Sequence, residues 1–542
     1  MLTYAHHGTL KSATFPIFHG STLVVPPASV QFSIPFIALI PLTLLIPVTP
    51  LMTTVASSPV PQTLLEVPLA RGPGAAPMQR QLHHRFKEAI LGGHLAPGSR
   101  LPGSRSLAEA LAISRNTVTA AYDLLAAEGY VQPDRQGTRV AALSRPAPLQ
   151  GKRGAPVAPA TAQRLTRIQA AAPSAEGNAA LRPGVPALSH FPLAAWRRAI
   201  DRAITHGGPS ALGYGDPPGE PALRASIARH LGIARGVRCD PAQVVITEGA
   251  QEALSLCVRL LTNAGDTAWI EDPGYRGAKA AMRAGDLHMV PMRVDADGLI
   301  ADENAWTSQP PRLIYTTPSH QYPAGAVLTV ARRLELIANA QRHGTWIIED
   351  DYDSEFRHAG EPIGAMQGLV TQAPVLYVGT FSKTMFPSLR LGFLVLPETL
   401  VAQMRTPLDD MLRGGHRYEQ LALAEFIESG QFSRHLGRMR RLYRDRQHAL
   451  REALTRHLPM PHVIEGGYCG LHLTVRLPAC YPDREIADAA RKHGIAPAPL
   501  SSFALQPMPE DNGLVLGYGN TSAELFEPLV RLLARLVRGV KV

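Results

Sequence analysis

The chain has 542 residues, 45% of them apolar and 18% charged, with 54 Lys and Arg against 44 Asp and Glu for a formal net charge of +10. That length exceeds a single hydrophobic core and leaves room for two or three domains. The basic excess favours phosphates or anionic surfaces without choosing between them. Cys239, Cys257, Cys469 and Cys480 form no CxxC pair, which argues against a disulfide framework or a structural zinc site. Buried free thiols in a reducing cytoplasm, and no metal, are expected.

Residues 12–65 contain no Asp, Glu, Lys or Arg. Within them Phe36 to Met52 is apolar over a length that raises the question of a membrane span. Pro35, Pro41, Pro47 and Pro50 interrupt it, each removing a backbone donor and clashing with the preceding turn. The stretch lacks the charged start and clear cleavage site of a secretory signal. Met52 opens an ordinary polar start. Residues 1–61 are therefore expected to be a disordered extension or a segment upstream of the working protein's start, with a membrane anchor as the alternative.

Residues 62–141 form the first expected domain. Gln79 to Gly92 places Leu82, Phe86, Ile90 and Leu91 on one helical face, and Gly92-Gly93 ends that helix. Ser104 is expected to cap a second helix through Leu107, Ala108 and Leu111, and Ser114 a third from Arg115 to Leu125. A turn of about three residues between them is the spacing of a helix-turn-helix. Tyr130-Val131 and Thr138-Arg139-Val140 predict two short strands, a wing with Gly137 at its tip. A recognition helix presents its first turn to the bases. Arg115, Asn116 and Thr117 occupy that turn, and arginine and asparagine bond guanine and adenine bidentately. Arg105 and the amides at the helix starts suit phosphate oxygens. Eight Lys and Arg against five Asp and Glu over 76–141 make the module only modestly basic.

The run LPGSRSLAEALAISRNTVTAAYDLLAAEGY resembles the winged helix-turn-helix of the GntR family. The resemblance implies that Arg105, Arg115, Thr117 and Gly137 touch double-stranded DNA, with Ser114 and Asn116 beside them. Ala112 stands where the family's turn has glycine, which predicts a strained turn. Residues 142–178 are rich in alanine and proline, with Arg145, Lys152, Arg153, Arg164 and Arg167 against Glu176, and read as a flexible basic linker.

In residues 179–542, β-branched runs alternate with helical stretches: Val244 to Thr247, Leu313 to Tyr315, Trp346 to Ile348 and Val375 to Val378. The alternation predicts an α/β domain with a mostly parallel sheet, whose ligands bind beyond the carboxyl ends of the strands. Polar residues gather there. Pyridoxal phosphate needs a lysine for a Schiff base, a carboxylate for its ring nitrogen, donors for its phosphate and a lid for its ring. Lys383 is the candidate lysine and Asp350 the candidate carboxylate. Tyr352 can reach the ring's phenolic oxygen, and Tyr275 can stack on its face. The amides of Gly249, Ala250 and Gln251 at a helix start form an anion site, completed by Thr380 and Arg390.

The motifs YGDPPGEPALR, ITEGAQEAL, EDPGYRGA, IIEDDYDSEFR and GTFSKTMFPSLRLG occur in order. Together they resemble fold type I aminotransferases, specifically the MocR/GabR branch of GntR-type regulators. The resemblance implies a multidomain chain, a winged helix-turn-helix (α+β) followed by an α/β aminotransferase-like domain. It further implies that Tyr214 reaches the phosphate of the neighbouring subunit in a domain-swapped homodimer. Three positions depart from the pattern: Tyr322 where aminotransferases have asparagine before the Pro-x-Gly turn, Val515 where an arginine binds the substrate carboxylate, and Gly277 where a GABA-sensing relative has arginine. The expected function is a cytoplasmic, cofactor-dependent regulator that senses an amine or amino acid displacing Lys383. A working aminotransferase with a DNA-binding front end is the alternative.

Overall fold

The computed structural model describes residues 68–143, 161–164, 179–358, 360 and 363–540, so the expectations for residues 1–61 and most of the linker lie outside the described residues. The chain divides into two compact units, Met1–Val157 and Ala158–Val542. Among the described residues no helix is long and apolar enough to cross a membrane.

The N-terminal unit comprises α1 (Met78–Leu91), α2 (Ser104–Ala110), α3 (Arg115–Ala127) and the antiparallel pair β1 (Val131–Asp134) and β2 (Gly137–Val140). Leu82, Phe86 and Ile90 of α1 meet Leu107, Val118, Ala121 and Leu125 in one small core, as helical spacing dictates. Leu91 is 55% exposed: it falls outside the stripe, and Ala89 takes its place in the core. Ser114 caps α3, its Oγ accepting from Thr117 N at 3.1 Å. Ser104 does not cap α2 but is its first residue, preceded by Gly103. Gly137 pairs with Asp134 as the first residue of β2, so the wing turns at Arg135-Gln136. Ala112 adopts a left-handed φ of 50° in the turn before α3, a conformation that costs an L-residue about 1 kcal/mol or more.

The large unit is built on an eight-stranded sheet in the order β3-β10-β9-β8-β7-β4-β5-β6. The strands are β3 (Val244–Thr247), β4 (Thr267–Asp272), β5 (His288–Asp295), β6 (Gly298–Leu299), β7 (Leu313–Thr316), β8 (Trp346–Asp351), β9 (Val375–Thr380) and β10 (Gly392–Val395). The pairings β4·β5, β4·β7, β7·β8 and β8·β9 are parallel, while β10 runs antiparallel to β3 and β9. Successive strand residues feed opposite layers. Ile348 and Val378 pack with α4 (Ala250–Leu261) and α5 (Arg276–Ala284), and Ile347 and Val375 pack with Leu336 and Ile337 of the helix Val330–His343. A second sheet, β11 (Val463–Glu465), β12 (His472–Arg476), β13 (Ala498–Pro499) and β14 (Gly513–Gly517), is antiparallel in the order β11-β12-β14-β13. All four cysteines are free. Cys480 is exposed and Cys239 half-buried, so burial holds in full only for Cys257 and Cys469.

Candidate functional site

A cavity of about 360 Å³ opens at the carboxyl ends of the strands, and Lys383, Asp350, Tyr275, Tyr352, Thr380 and Arg390 all line it. Ala250 and Gln251 line it as well, while Gly249 and Tyr214 do not, and Tyr214 stands 89% exposed.

The carboxylates Glu349, Asp350 and Asp351 end β8, and strand alternation separates them. Glu349 accepts from the amides of Met366 and Gln367 at 2.9 and 3.0 Å. Asp351 pairs with Arg235 at 2.8 Å and accepts from Tyr377 Oη at 2.5 Å. Asp350 points the other way, into the cavity. Its Oδ2 accepts from Tyr315 Oη at 2.7 Å, and its Oδ1 is buried with no hydrogen-bond partner in the protein. Burial pushes its carboxyl up to about 7 against the Tyr315 bond, aided by Asp351, Glu271 and Asp353. An unmatched buried acceptor is costly, so this oxygen calls for a donor.

Lys383 lies on the short helix α6 (Phe381–Thr384) directly after β9. Its Nζ donates to Gly184 O at 2.6 Å. Burial lowers its pKa, opposed by the Asp353 and Asp350 carboxylates. A lowered amine is more often neutral and therefore nucleophilic. Across the cavity, Gly249 caps α4 with φ +84°, and the first amides of that helix lack helical acceptors. Arg390 donates to Glu248 O at 2.6 Å, which places a cation beside those amides. Thr380 caps α6, its Oγ1 accepting from Ser382 N at 3.2 Å.

Tyr275 precedes α5, and burial raises its phenol to about 12. A Cβ at position 277 would lie 2.4 Å from the Tyr275 ring and 2.5 Å from Gln251 Oε1. Glycine there lets the tyrosine fold over its own helix, and no arginine could replace it without moving the ring. Tyr322 and Val515 form another packing unit. Val515 is fully buried with Leu500 and Phe503, and the Tyr322 ring packs on that cluster, edge-on to Phe503 at 5.2 Å. A guanidinium at 515 would enter a cluster of Leu500, Phe503 and the Tyr322 ring, a costly setting for a charge without a partner.

The groups fit pyridoxal phosphate: an unmatched acid for a ring N–H, a lysine with lowered pKa, and amides beside a cation for a phosphate. Sequence reasoning missed Gly184, Asp353 and His472, which also line the cavity. Asp353 was readable in the IIEDDYDSEFR motif; Gly184 and His472 arrive from distant segments. Behind Tyr352, His320, Asp353 and Cys469 bring possible metal donors within 4.8 Å of one another. Hydrogen bonds already engage all three with neighbours in that cluster.

In the N-terminal unit, Arg105, Ser114, Arg115, Asn116 and Gly137 are exposed and Thr117 is half-buried. Arg115 Nε donates to Ser104 Oγ at 3.3 Å, bringing the starts of α2 and α3 together. Arg100, overlooked in the sequence, bonds Gln136 of the wing at 2.7 Å.

Residues 78–140 match bacterial regulatory proteins of the gntR family, and residues 183–507 match aminotransferase class I and II. The chain is 39% identical to the probable rhizopine catabolism regulatory protein MocR of Rhizobium meliloti, covering 82% of this chain and 90% of the relative. It is 30% identical to the pyridoxine biosynthesis transcriptional regulator PdxR of Corynebacterium glutamicum, covering 84% and 95%. The α-aminoadipate aminotransferase LysN of Thermus thermophilus, solved with N-(5'-phosphopyridoxyl)-L-leucine, superposes with a TM-score of 0.64 at 27% identity, covering 70% of this chain and 97% of its own.

Proposed function

The chain belongs to the MocR-type regulators of the GntR family, and from that membership we propose a pyridoxal-phosphate-dependent transcription regulator whose DNA binding responds to an amine or amino acid. The single observation that carries the cofactor reading is Asp350, which lines the same cavity as Lys383 and whose buried Oδ1 has no partner in the protein. Bound there, pyridoxal phosphate supplies an aldehyde that combines reversibly with primary amines. Lys383 would hold it covalently, and Asp350 would keep the ring nitrogen protonated. The amides of Gly249, Ala250 and Gln251, with Thr380 and Arg390, would hold its phosphate. Tyr275 would cover the ring and Tyr352 would reach its phenolic oxygen. Tyr214, exposed in the single chain, would complete the phosphate site of a second copy in a domain-swapped homodimer.

At the operator, Arg115, Asn116 and Thr117 would meet base edges. Arg105, Ser114 and Gly137 would meet the backbone. Sensing requires that the effector bind two dimer geometries with different affinity, because equal affinity shifts nothing. The relatives' names speak of rhizopine catabolism and of pyridoxine biosynthesis. Those subjects differ, so family membership does not name the effector. Both relatives are named as regulators, and the apolar cluster around Val515 disfavours a working transaminase, although a single half-reaction is compatible with the cavity. A cytoplasmic location accords with this role.

Borohydride reduction of the purified full chain followed by peptide mapping should label Lys383, and candidate amines should shift operator affinity. A colourless protein, or a label elsewhere, overturns the cofactor reading. Steady transamination over many turnovers would restore the enzyme alternative.

A further inference from the structure

The surroundings of His320 point to a role that the cofactor reading does not use. His320 lies in the loop between β7 and the helix Val330–His343, 2% exposed. Its Nδ1 stands 3.0 and 3.1 Å from the two Asp353 carboxylate oxygens and 3.0 Å from Tyr352 Oη. The two rings stack with centroids 5.9 Å apart and planes at 24°. The loop holding the imidazole is pinned from below. Buried Glu271 accepts from Thr316 Oγ1 and Thr317 Oγ1, both at 2.6 Å, and Thr317 Oγ1 accepts from Tyr322 N at 3.0 Å.

A ring nitrogen carries one in-plane hydrogen or one lone pair. Burial raises the Asp353 carboxyl and His320 opposes that shift; facing the ionised carboxylate, Nδ1 carries the hydrogen. With the hydrogen on Nδ1, that nitrogen has no lone pair to accept from the Tyr352 hydroxyl 3.0 Å away, so the phenol's own proton points elsewhere. Tyr352 lines the cavity, and the cavity is where that proton can go. Its phenol is pushed well above the ordinary value by burial and by Asp353, so it stays a donor.

Building on the cofactor reading, we propose that His320 is a positioning residue: through Nδ1 it fixes the Tyr352 hydroxyl so that the phenol donates to the cofactor's phenolic oxygen. The other titratable groups around the imidazole fit this role. His472 of β12 lies 4.9 Å away ring to ring and bonds Pro323 O at 3.1 Å through Nε2. Burial depresses it to about 3, so it adds no charge. Burial also raises the Cys469 thiol well above its usual value, and that thiol donates to the Asp353 carbonyl at 3.5 Å. Tyr322, on the same loop as His320, is likewise raised by burial and stays a phenol. On the cavity side, Asp350 acts on Tyr352 and Lys383 on Asp353. Glycine at 470, with φ +82°, lets the group close, because a Cβ there would sit 2.2 Å from Asp353 Oδ2 and 2.6 Å from His320 Nδ1.

The test is the pH titration of the visible absorbance of the full, cofactor-loaded chain. A donor to the phenolic oxygen stabilises its anion most once the Lys383 nitrogen has lost its proton, so losing the donor raises the midpoint. His320→Leu and Tyr352→Phe should each raise the midpoint by about one pH unit, the scale of one hydrogen bond to a charged oxygen. The double variant should go no further than either. His320→Asn, which keeps a donor at the Nδ1 position, should recover more than half of the shift. A coloured His320→Leu protein with the parental midpoint overturns the proposal, as does a shift that adds to that of Tyr352→Phe. Should His320→Leu fail to fold, judged by loss of operator binding, His320→Asn decides: displacement as large as that of Tyr352→Phe overturns it. A wild-type chain that takes up no cofactor overturns the parent reading and this one together, whereas a coloured wild type beside an unresponsive His320→Leu overturns this one alone.

Discussion

In the N-terminal unit the groups suited to DNA, Arg105, Arg115 and Asn116, stand in solvent, while in the large unit the groups suited to a cofactor, Asp350, Tyr275 and Tyr352, sit at the edge of the core with shifted acidities. The difference reflects what each partner removes. A phosphate backbone is met by cations already solvated, so their presence costs the fold little. A cofactor is held by groups withdrawn from bulk solvent, and the protein supplies no hydrogen-bond partner of its own to the buried Asp350 Oδ1. The comparison extends along one strand: Glu349 and Asp351 are matched by the chain itself, and their neighbour is not.

The sharpest way to break the contrast is at Lys383. Lys383→Ala should abolish the visible band and the borohydride label completely, while leaving operator affinity without effector within about threefold, a change of about 0.7 kcal/mol. A variant still absorbing near the parental band would show that the cavity does not hold the cofactor through this side chain.

Substitutions on β8 come next. Asp351→Asn leaves Arg235 buried beside a neutral partner and should cost about 3–5 kcal/mol of stability, read from denaturant unfolding. Asp350→Asn should behave oppositely in cofactor-free protein. Burial raises the folded value of Asp350 to about 7 from 3.8, so the folded state binds more protons than the unfolded state between those values. Stability is therefore greatest below the lower value and falls as pH rises through the upper one, by roughly 4 kcal/mol at most. Asp350→Asn should flatten that fall, and an unchanged pH dependence would mean that Asp350 is not the unmatched group.

The same division separates what the sequence makes legible from what it hides. The strain at Ala112 was expected from the family resemblance, not from its neighbours. Local grammar carried the helix-turn-helix and the Ser114 cap, because caps and turns are decided by neighbouring residues, although it put the cap of the preceding helix on Ser104, one residue past Gly103. The strand ends and their polar residues were legible for the same reason, and Lys383, Asp350 and Thr380 converge on one cavity. What stayed hidden depends on tertiary pairing. The antiparallel strand β10 between β3 and β9 is set by topology, not by the apolar run Phe393-Leu394-Val395. The pairing of His320 with Asp353 spans 33 positions. The apolar setting of Val515 depends on Phe503 and Tyr322 arriving from separate segments.

On the solvated side the expected effects are smaller for the fold and specific for function. Arg115→Ala should weaken operator binding by about 1–3 kcal/mol and relax preference at one base pair. Its unfolding free energy should stay within about 0.5 kcal/mol of the parent, as for exposed sites generally. If the loss is uniform across operator sequences and appears only as a reduced salt dependence, Arg115 contacts phosphate and the base-reading role passes to Asn116.

The smallest effect separates strain from contact. Ala112 holds φ at +50° in the turn before α3, where an L-residue loses about 1–2 kcal/mol relative to its relaxed conformation. Glycine removes that strain, but it gains unfolded-state freedom worth about 0.4–1 kcal/mol. The net expectation for Ala112→Gly is stabilisation by about 0.5 kcal/mol, measured by unfolding of the full chain with operator affinity as a control. The Arg71 guanidinium donates to the Ala112 carbonyl at 2.9 Å, and that bond survives the change because residue 112 contributes only its backbone oxygen. Destabilisation would therefore mean that the Ala112 methyl makes a contact outweighing its strain, and that the strained turn is held by packing instead of tolerated.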